Sequence, residues 1–290
     1  MTQAVREPHK KVGITYNPRS EGAAELARTL RDDIEARGVR AWVADADEPE
    51  AERAEIEGSD LMICLGGDGT VLRCARVVIG LPVVILGVNM GRLGFLTELN
   101  GSEVRDRLDD VLSGKGRIEE RLMLDATVPG RDTTFHALNE VVIGRATLSR
   151  AIQLAVDIDD IRVADYRCDG VIIATATGST AYALSVGGPV LHPESRDMVV
   201  VPVAPHLAAR HALVLPRGEV VHVTLEERQR AVLSVDGEAD LDLCEGDSVF
   251  VKPSQHRAHF LRFHPRTDFY KRMAAQLGWH RPGGSAQPLP

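Results

Sequence analysis

Cysteine is scarce in this chain, and what there is forms no motif. Cys64, Cys74, Cys168 and Cys244 are the four in 290 residues, and none sits in a C-x-x-C pair. That excludes a zinc knuckle or a disulfide framework and points to a reducing compartment. Long apolar runs are missing too: the longest, residues 77–88, is too short to span a bilayer and is broken by Gly80 and Pro82. Residues 1–11 are polar and charged, without the apolar centre of a secretory signal, so the expected setting is the cytoplasm, with no membrane partner. Positive charge is not in excess: 34 Lys and Arg stand against 42 Asp and Glu, a formal net charge of −8. This argues against a nucleic-acid partner held by phosphate neutralisation. Neither G-x-x-x-x-G-K-[ST] nor a G-x-G-x-x-G after a strand occurs, which excludes a P-loop enzyme and the usual dinucleotide fingerprint.

What the chain does have is apolar content, 44% of its residues, arranged in two rhythms. From residue 10 to 113, short apolar runs alternate with amphipathic segments. Strands are expected at 12–16, 41–44, 61–65 and 82–87, and helices at 23–37, at 70–79 and from Ser102, backed by Glu103, to 112. This is the alternation of an α/β domain with a parallel sheet. After Gly116 come short β-prone runs at 122–128, 133–143, 152–158, 171–175, 198–203, 220–225, 231–235 and 248–251, punctuated by Gly, Pro and Asp. Such spacing predicts an all-β sandwich. A C-terminal helix follows at 268–277. The expected domains are α/β over 1–115, β-sandwich over 116–265, and helix with a mobile tail over 266–290.

Gly66-Gly67-Asp68-Gly69-Thr70 directly follows an expected strand and precedes an expected helix. Glycines let backbone amides approach a phosphate, and the helix start offers positive potential to it. A carboxylate beside such a cradle repels an anion unless it handles a proton or a metal, which suggests phosphoryl transfer with Asp68 near the acceptor hydroxyl. A turn with an aspartate helix cap accounts for the same residues equally well. The run from Asp169 to Tyr182 carries an apolar strand into small and hydroxyl-bearing residues. It suits either a close-contact pocket for a flat ring or a Ser/Thr-rich loop opening a helix at 179–186. Asn139-Glu140 sets an amide beside a carboxylate that could accept bonds from ribose hydroxyls. Neighbouring strand residues face opposite ways, so both reach one ligand only at a bulge or strand end, and otherwise they are an exposed polar pair.

In order along the chain, these pieces resemble the NAD kinase family. The match runs through Gly66 to Thr70, Asn89-Met90-Gly91-Arg92-Leu93-Gly94-Phe95-Leu96, Leu138 to Ile143, Asp169 to Tyr182 with Ser185-Val186-Gly187-Gly188-Pro189, and Leu277-Gly278-Trp279. The resemblance implies an N-terminal α/β domain, a C-terminal β-sandwich and a cleft between them. It implies transfer of the terminal phosphoryl group of ATP or polyphosphate, with Mg²⁺, to the 2′-hydroxyl of the adenosine ribose of NAD, giving NADP. Asp68 is then the proton acceptor, the residues Gly66, Gly67, Asp68, Gly69, Thr70 and Arg73 serve phosphates and nucleotide, and Asn139 with Glu140 contacts ribose and adenine. Arg150 and Arg167 are ligand-facing cations, and Asp169 lies near the nicotinamide end. Thr177 and the run Thr180, Ala181, Tyr182, Ala183, Leu184 and Ser185 form the adenine-side wall, and Glu238 stands where relatives often carry glutamine. No dedicated protein metal site is implied, because Mg²⁺ rides on phosphate and water. A homo-oligomer, dimer or tetramer, is expected. The chain departs from the family at Ala176 and His211, both commonly proline, which should alter loop stiffness rather than chemistry.

Two rival readings remain open. A lipid or sphingoid-base kinase shares the Gly-Gly-Asp-Gly turn but should carry a membrane-facing amphipathic segment, which the sequence lacks. A catalytically silent dinucleotide-binding sensor would not need Asp68. His256, His259 and His264 read as a solvated sheet face, since no acid or cysteine accompanies them, and Cys64 and Cys74 as buried small hydrophobes.

Overall fold

The computed structural model describes residues 7–48, 53–91, 94–147, 150–206, 211–226 and 229–278, with the backbone alone for 238–240. The side chain of Glu238, residues 92 and 93 of the Asn89 motif, Trp279 and the tail therefore lie outside the described residues.

The first half forms β1 (Lys11–Tyr16), α1 (Ala23–Glu35), β2 (Arg40–Asp45), β3 (Leu61–Gly66), α2 (Asp68–Val77) and β4 (Val84–Asn89). Parallel pairing orders these strands β4-β3-β1-β2. Every residue of β3 is buried, which is why it reads as an unbroken apolar run rather than an alternating one. On one face α1 buries Ala23, Ala27, Leu30 and Ile34, spaced three and four apart, against Val12, Ile14, Ile63 and Leu86. On the other face α2 buries Val71, Cys74 and Ala75 against Met62, Cys64 and Ile85. That second cluster also takes in Met123, Leu138, Ala258 and Phe260 from the later half, so α2 is wedged between the two halves.

β5 (Leu99–Asn100) leads into α3 (Gly101–Asp106) and α4 (Leu108–Leu112). The cap here is Asn100 and not Ser102. The Asn100 side chain accepts from the amides of Ser102 and Glu103, and Glu103 reaches back to the Asn100 amide, a capping box two residues earlier than the Ser-Glu pair suggests.

The second half comprises β6 (Arg117–Thr127), β7 (Thr134–Ala137), β8 (Glu140–Arg145), β9 (Ile152–Ile158), β10 (Ile161–Cys168), β11 (Gly170–Thr175), a 3₁₀ turn (Gly178–Thr180), α5 (Tyr182–Ser185), β12 (Met198–Val203), β13 (Leu213–Leu215), β14 (Val221–Leu225), β15 (Ala231–Val235), β16 (Glu238–Leu243), β17 (Ser248–Arg262) and α6 (Asp268–Gln276). A six-stranded antiparallel sheet, β13-β12-β11-β8-β15-β16, faces strands β10, β9, β14, β17, β6 and β7. Between them lies an apolar layer that includes Leu124, Val141, Ile143, Leu154, Val171, Ile173, Val223, Leu233 and Val249. The fold is thus an α/β domain with a parallel sheet, an antiparallel β domain and a C-terminal helix.

β17 is far longer than its opening residues suggest. It pairs antiparallel with β14 and β6, bulges between Pro253 and Arg257, and ends parallel to β4 through His259↔Val84 and Phe260↔Ile85. One continuous sheet therefore runs through both halves. The proline breaks the alternation that would otherwise have announced the strand.

Candidate active site

The chain leaves β1 for β2 on one side of the parallel sheet, whereas β3 leads to β4 on the other. Such a switch of direction opens a crevice above the carboxyl ends of β1 and β3, the usual ligand position in open α/β sheets. The glycine turn sits there. Gly66 is packed tight: a Cβ would lie 2.2 Å from Thr70 Oγ1. Gly67 and Gly69 are different, since a Cβ on either would meet nothing within 4 Å, leaving room at the turn for an approaching anion.

Gly67 occupies the cap position of α2, so Asp68 is the first residue of the helix and not its cap. Its carboxylate turns instead to the segment 94–98. Oδ2 accepts from the Phe95 amide at 2.8 Å and Oδ1 from the Leu96 amide at 2.9 Å. Gly94 makes this possible, because a Cβ there would stand 2.0 Å from Asp68 Oδ1. Two amide donors fix the carboxylate's orientation, and each oxygen keeps a lone pair for a further partner. Arg73 reaches Asp47 at 2.6 Å, which also meets Arg19 at 3.3 Å. A cavity of about 430 Å³ lined by Arg19, Asp47, Arg53, Arg73 and Arg76 opens beside them.

The second cluster assembles on the β domain. Asn139 lies one residue before β8, so the strand-end condition for both polar groups to face one ligand is met. Glu140 is not an exposed residue; it is 6% exposed. The residue that organises the pair is Asp236. Its fully buried carboxylate accepts from the amides of Leu138 at 2.9 Å, Asn139 at 2.7 Å and Glu140 at 3.0 Å. Asp236 and Gly237, with φ of 50° and 85°, form the two-residue turn between β15 and β16, a conformation that Asp-Gly adopts readily. Burial, reinforced by the nearby Asp236, pushes the Glu140 carboxyl up to about 8, so it is a neutral acid at pH 7 rather than the carboxylate its residue type suggests. Glu140 Oε2 has no hydrogen-bond partner among the described residues.

The hydroxyl-rich loop docks directly on this pair. Thr175 Oγ1 donates to Leu138 O at 2.6 Å, the Thr175 amide to Asn139 O at 2.8 Å, and a Cβ on Gly178 would stand 2.1 Å from Asn139 O. Several of its hydroxyls have internal uses: Ser179 donates to Ala176 O, Thr180 to Thr177 O and Ser185 to Tyr182 O. Of the wall residues, Ala183 is buried, Ala181, Thr180 and Leu184 are half-buried, and Tyr182 and Ser185 are exposed. The two clusters are joined by Arg76 of α2, whose guanidinium donates to Val235 O at 2.8 Å and lies 3.9 Å from the Asp236 carboxylate. Arg150, Arg167 and Asp169 gather elsewhere, with Arg145 and His206, around a separate cavity of about 590 Å³, and Asp169 pairs with Arg145 at 3.0 Å.

Sequence reasoning missed Gly94, Asp236 and a buried ionic group made by Glu119, Arg121 and Arg262. Gly94 was visible inside the Asn89 motif and Asp236 as an Asp-Gly turn signal, whereas nothing local marks the ionic group. Burial pushes the Glu119 carboxyl up, but Arg262 and Arg121 override it and hold it well below the usual carboxylate range. Burial lowers Arg121 to about 10, against the opposing pull of Glu119. His264 also departs from expectation: an acid does accompany it, with Nδ1 2.8 Å from the buried Glu98. Cys64 and Cys74 are buried as expected, and no helix among the described residues is long and apolar enough to cross a membrane.

The ATP-NAD kinase N-terminal domain matches residues 2–116 and the ATP-NAD kinase C-terminal domain residues 138–263. The chain is 41% identical to an NAD kinase of Chloroflexus aurantiacus over 271 residues, covering 92% of this chain and 98% of that protein. Its fold is similar to that of yeast NADH kinase complexed with NADH (TM-score 0.85, 23% identity, covering 97% of this chain and 91% of that one). It is similar also to an NAD kinase from Archaeoglobus fulgidus in complex with ATP (TM-score 0.75, 23% identity, covering 92% and 98%). The chain belongs to the NAD kinase family.

Proposed function

We propose that this protein transfers the terminal phosphoryl group of ATP, or of polyphosphate, to the 2′-hydroxyl of the adenosine ribose of NAD, with Asp68 as the proton acceptor. The observation that carries the reading is the Asp68 carboxylate, fixed by two backbone amides beside glycines with open space around them. The acceptor oxygen forms a bond to the terminal phosphorus, the bond from that phosphorus to the bridging oxygen breaks, and ADP, or the polyphosphate shortened by one unit, leaves. The hydroxyl proton passes to Asp68. Gly67 and Gly69 would hold donor phosphates, and the arginine-lined cavity beside Arg73 suits the remaining negative charge. Asn139, neutral Glu140 and the 175–180 loop would receive ribose and adenine, with Asp169 towards the nicotinamide end and Arg150 and Arg167 as ligand-facing cations around the cavity they share with it.

Among the described residues no group of three or more His, Cys, Asp or Glu side chains is placed to hold a metal ion. A cation that arrives on the donor's phosphates needs no such group, and Asp68 is the one carboxylate that the glycine turn offers it. When bound, Mg²⁺ would neutralise developing charge on the transferred group. A homo-oligomer in the cytoplasm completes the reading. Supporting it, β13 and β16 each have one partner strand among the described residues, leaving sheet edges to pair, and Val214 on β13 is half-exposed. Incubation with NAD, ATP and Mg²⁺ should yield NADP, while a diacylglycerol control should stay unphosphorylated. Phosphorylation of the lipid alone would overturn the reading.

A further inference from the structure

The β6 and β17 strands place three charged side chains in the interior where the two halves of the molecule meet. Glu119, Arg121 and Arg262 are each 4% exposed. Arg262 donates from Nε to Glu119 Oε1 at 2.9 Å, and Arg121 donates to the same oxygen from Nε at 2.8 Å and from Nη2 at 2.5 Å. The Phe260 ring lies 5.0 Å from the Arg262 guanidinium and 5.6 Å from that of Arg121. A buried ionic group of this kind is a weak source of stability, since well-packed apolar side chains often replace one without loss. Its two outer ends show what else it does. At one end Arg262 Nη1 donates to Leu96 O at 2.9 Å, and the Leu96 amide is one of the two that hold Asp68. At the other end Arg121 Nη1 donates to Thr177 Oγ1 at 3.1 Å.

A hydroxyl that accepts from a guanidinium has one of its two lone pairs occupied and its proton aimed elsewhere. No acceptor for the Thr177 proton exists among the described residues, although Thr177 is 5% exposed and sits in the loop that docks on Asn139. We propose that Arg121 is a positioning residue: it fixes the Thr177 hydroxyl as a hydrogen-bond donor to the dinucleotide, and through Glu119 and Arg262 ties that donor to the segment whose amides hold the Asp68 carboxylate. The inference rests on the NAD kinase reading for the identity of the ligand, but its test reads binding and not turnover.

The test is a double-mutant cycle in the dissociation constant for NAD, measured by calorimetry on the full chain. Losing one neutral hydrogen bond should weaken NAD binding about three- to tenfold in Thr177→Val. Arg121→Met should weaken it by at least as much in the wild-type background and by less than about twofold more once Thr177 is valine, because the two act through one contact. Thr177→Ser, which keeps the hydroxyl, should bind nearly as wild type. Independent losses that multiply would overturn the proposal, as would unchanged affinity in Thr177→Val, a result that stands even if Arg121→Met fails to fold. A wild-type protein that binds NAD but makes no NADP would defeat the kinase reading and leave this cycle interpretable.

Discussion

Replacing Glu140 by Gln should flatten the pH dependence of stability. The folded-state carboxyl titrates at about 8 against an ordinary 4.5, with burial as the first cause and Asp236 as the second. Between those two values the folded chain holds a proton that the unfolded chain has released. The contribution is therefore complete below pH 4.5 and is lost as pH rises through 8. At 1.36 kcal/mol per unit, and allowing for partial ionisation near 8, the loss from pH 6 to pH 8 is about 2 kcal/mol. Gln keeps the shape and has no proton to lose. Asp236, also pushed up by burial, is present in both proteins and drops out of their difference. Urea denaturation of both proteins at pH 6, 7 and 8 measures the difference. Wild type should lose about 2 kcal/mol more than Glu140→Gln over that range. Parallel losses would show that Glu140 is already ionised in the folded state and would refute the reasoning. Because the acid is neutral at pH 7, Gln is also its close mimic there. NAD affinity at that pH should change by less than the 1.5–3 kcal/mol or so of a charge-assisted hydrogen bond.

Gly94→Ala should cut kcat by about 10²-fold, since its Cβ would displace the Asp68 carboxylate, and steady-state kinetics would show whether KM for NAD stays put as expected. Gly178→Ala forces backbone apart at Asn139 O and should lower stability by about 1–3 kcal/mol, read from the urea midpoint. Asp236→Ala strands three amides on residues 138–140 and should cost about 1–3 kcal/mol while raising KM for NAD; a variant with wild-type stability would contradict that bonding.

The sequence announced the parallel half well because its strands are buried on both faces and its helices carry one apolar stripe. The β half was less legible at its edges. β10 escaped because its burial is patchy and because the hairpin before it turns on Asp159-Asp160, with φ of 47° and 67°, where no glycine marks the turn. β13 has three residues, too few for a pattern. In the site, the glycine turn, Asn139-Glu140 and the 175–180 loop were readable as local strings, and the structure brings the last two into contact. What joins them was not readable. Asp236 acts across about a hundred residues and Arg262 across more than a hundred, and such partners leave no local periodicity. Gly67 takes the cap position of α2, which removes the aspartate-cap reading of Asp68, a point no local string could show.

The central claim is that Asp68 accepts the proton of the acceptor hydroxyl, and Asp68→Asn tests it most directly. Asn keeps the size but can satisfy only one of the Phe95 and Leu96 amides, so NAD binding must be measured beside turnover to show that the site survives. The account predicts a dissociation constant within a few-fold of wild type and a kcat lower by about 10²–10⁴-fold, with a small residual rate because positioning remains. Formation of NADP by Asp68→Asn at the wild-type rate would contradict it.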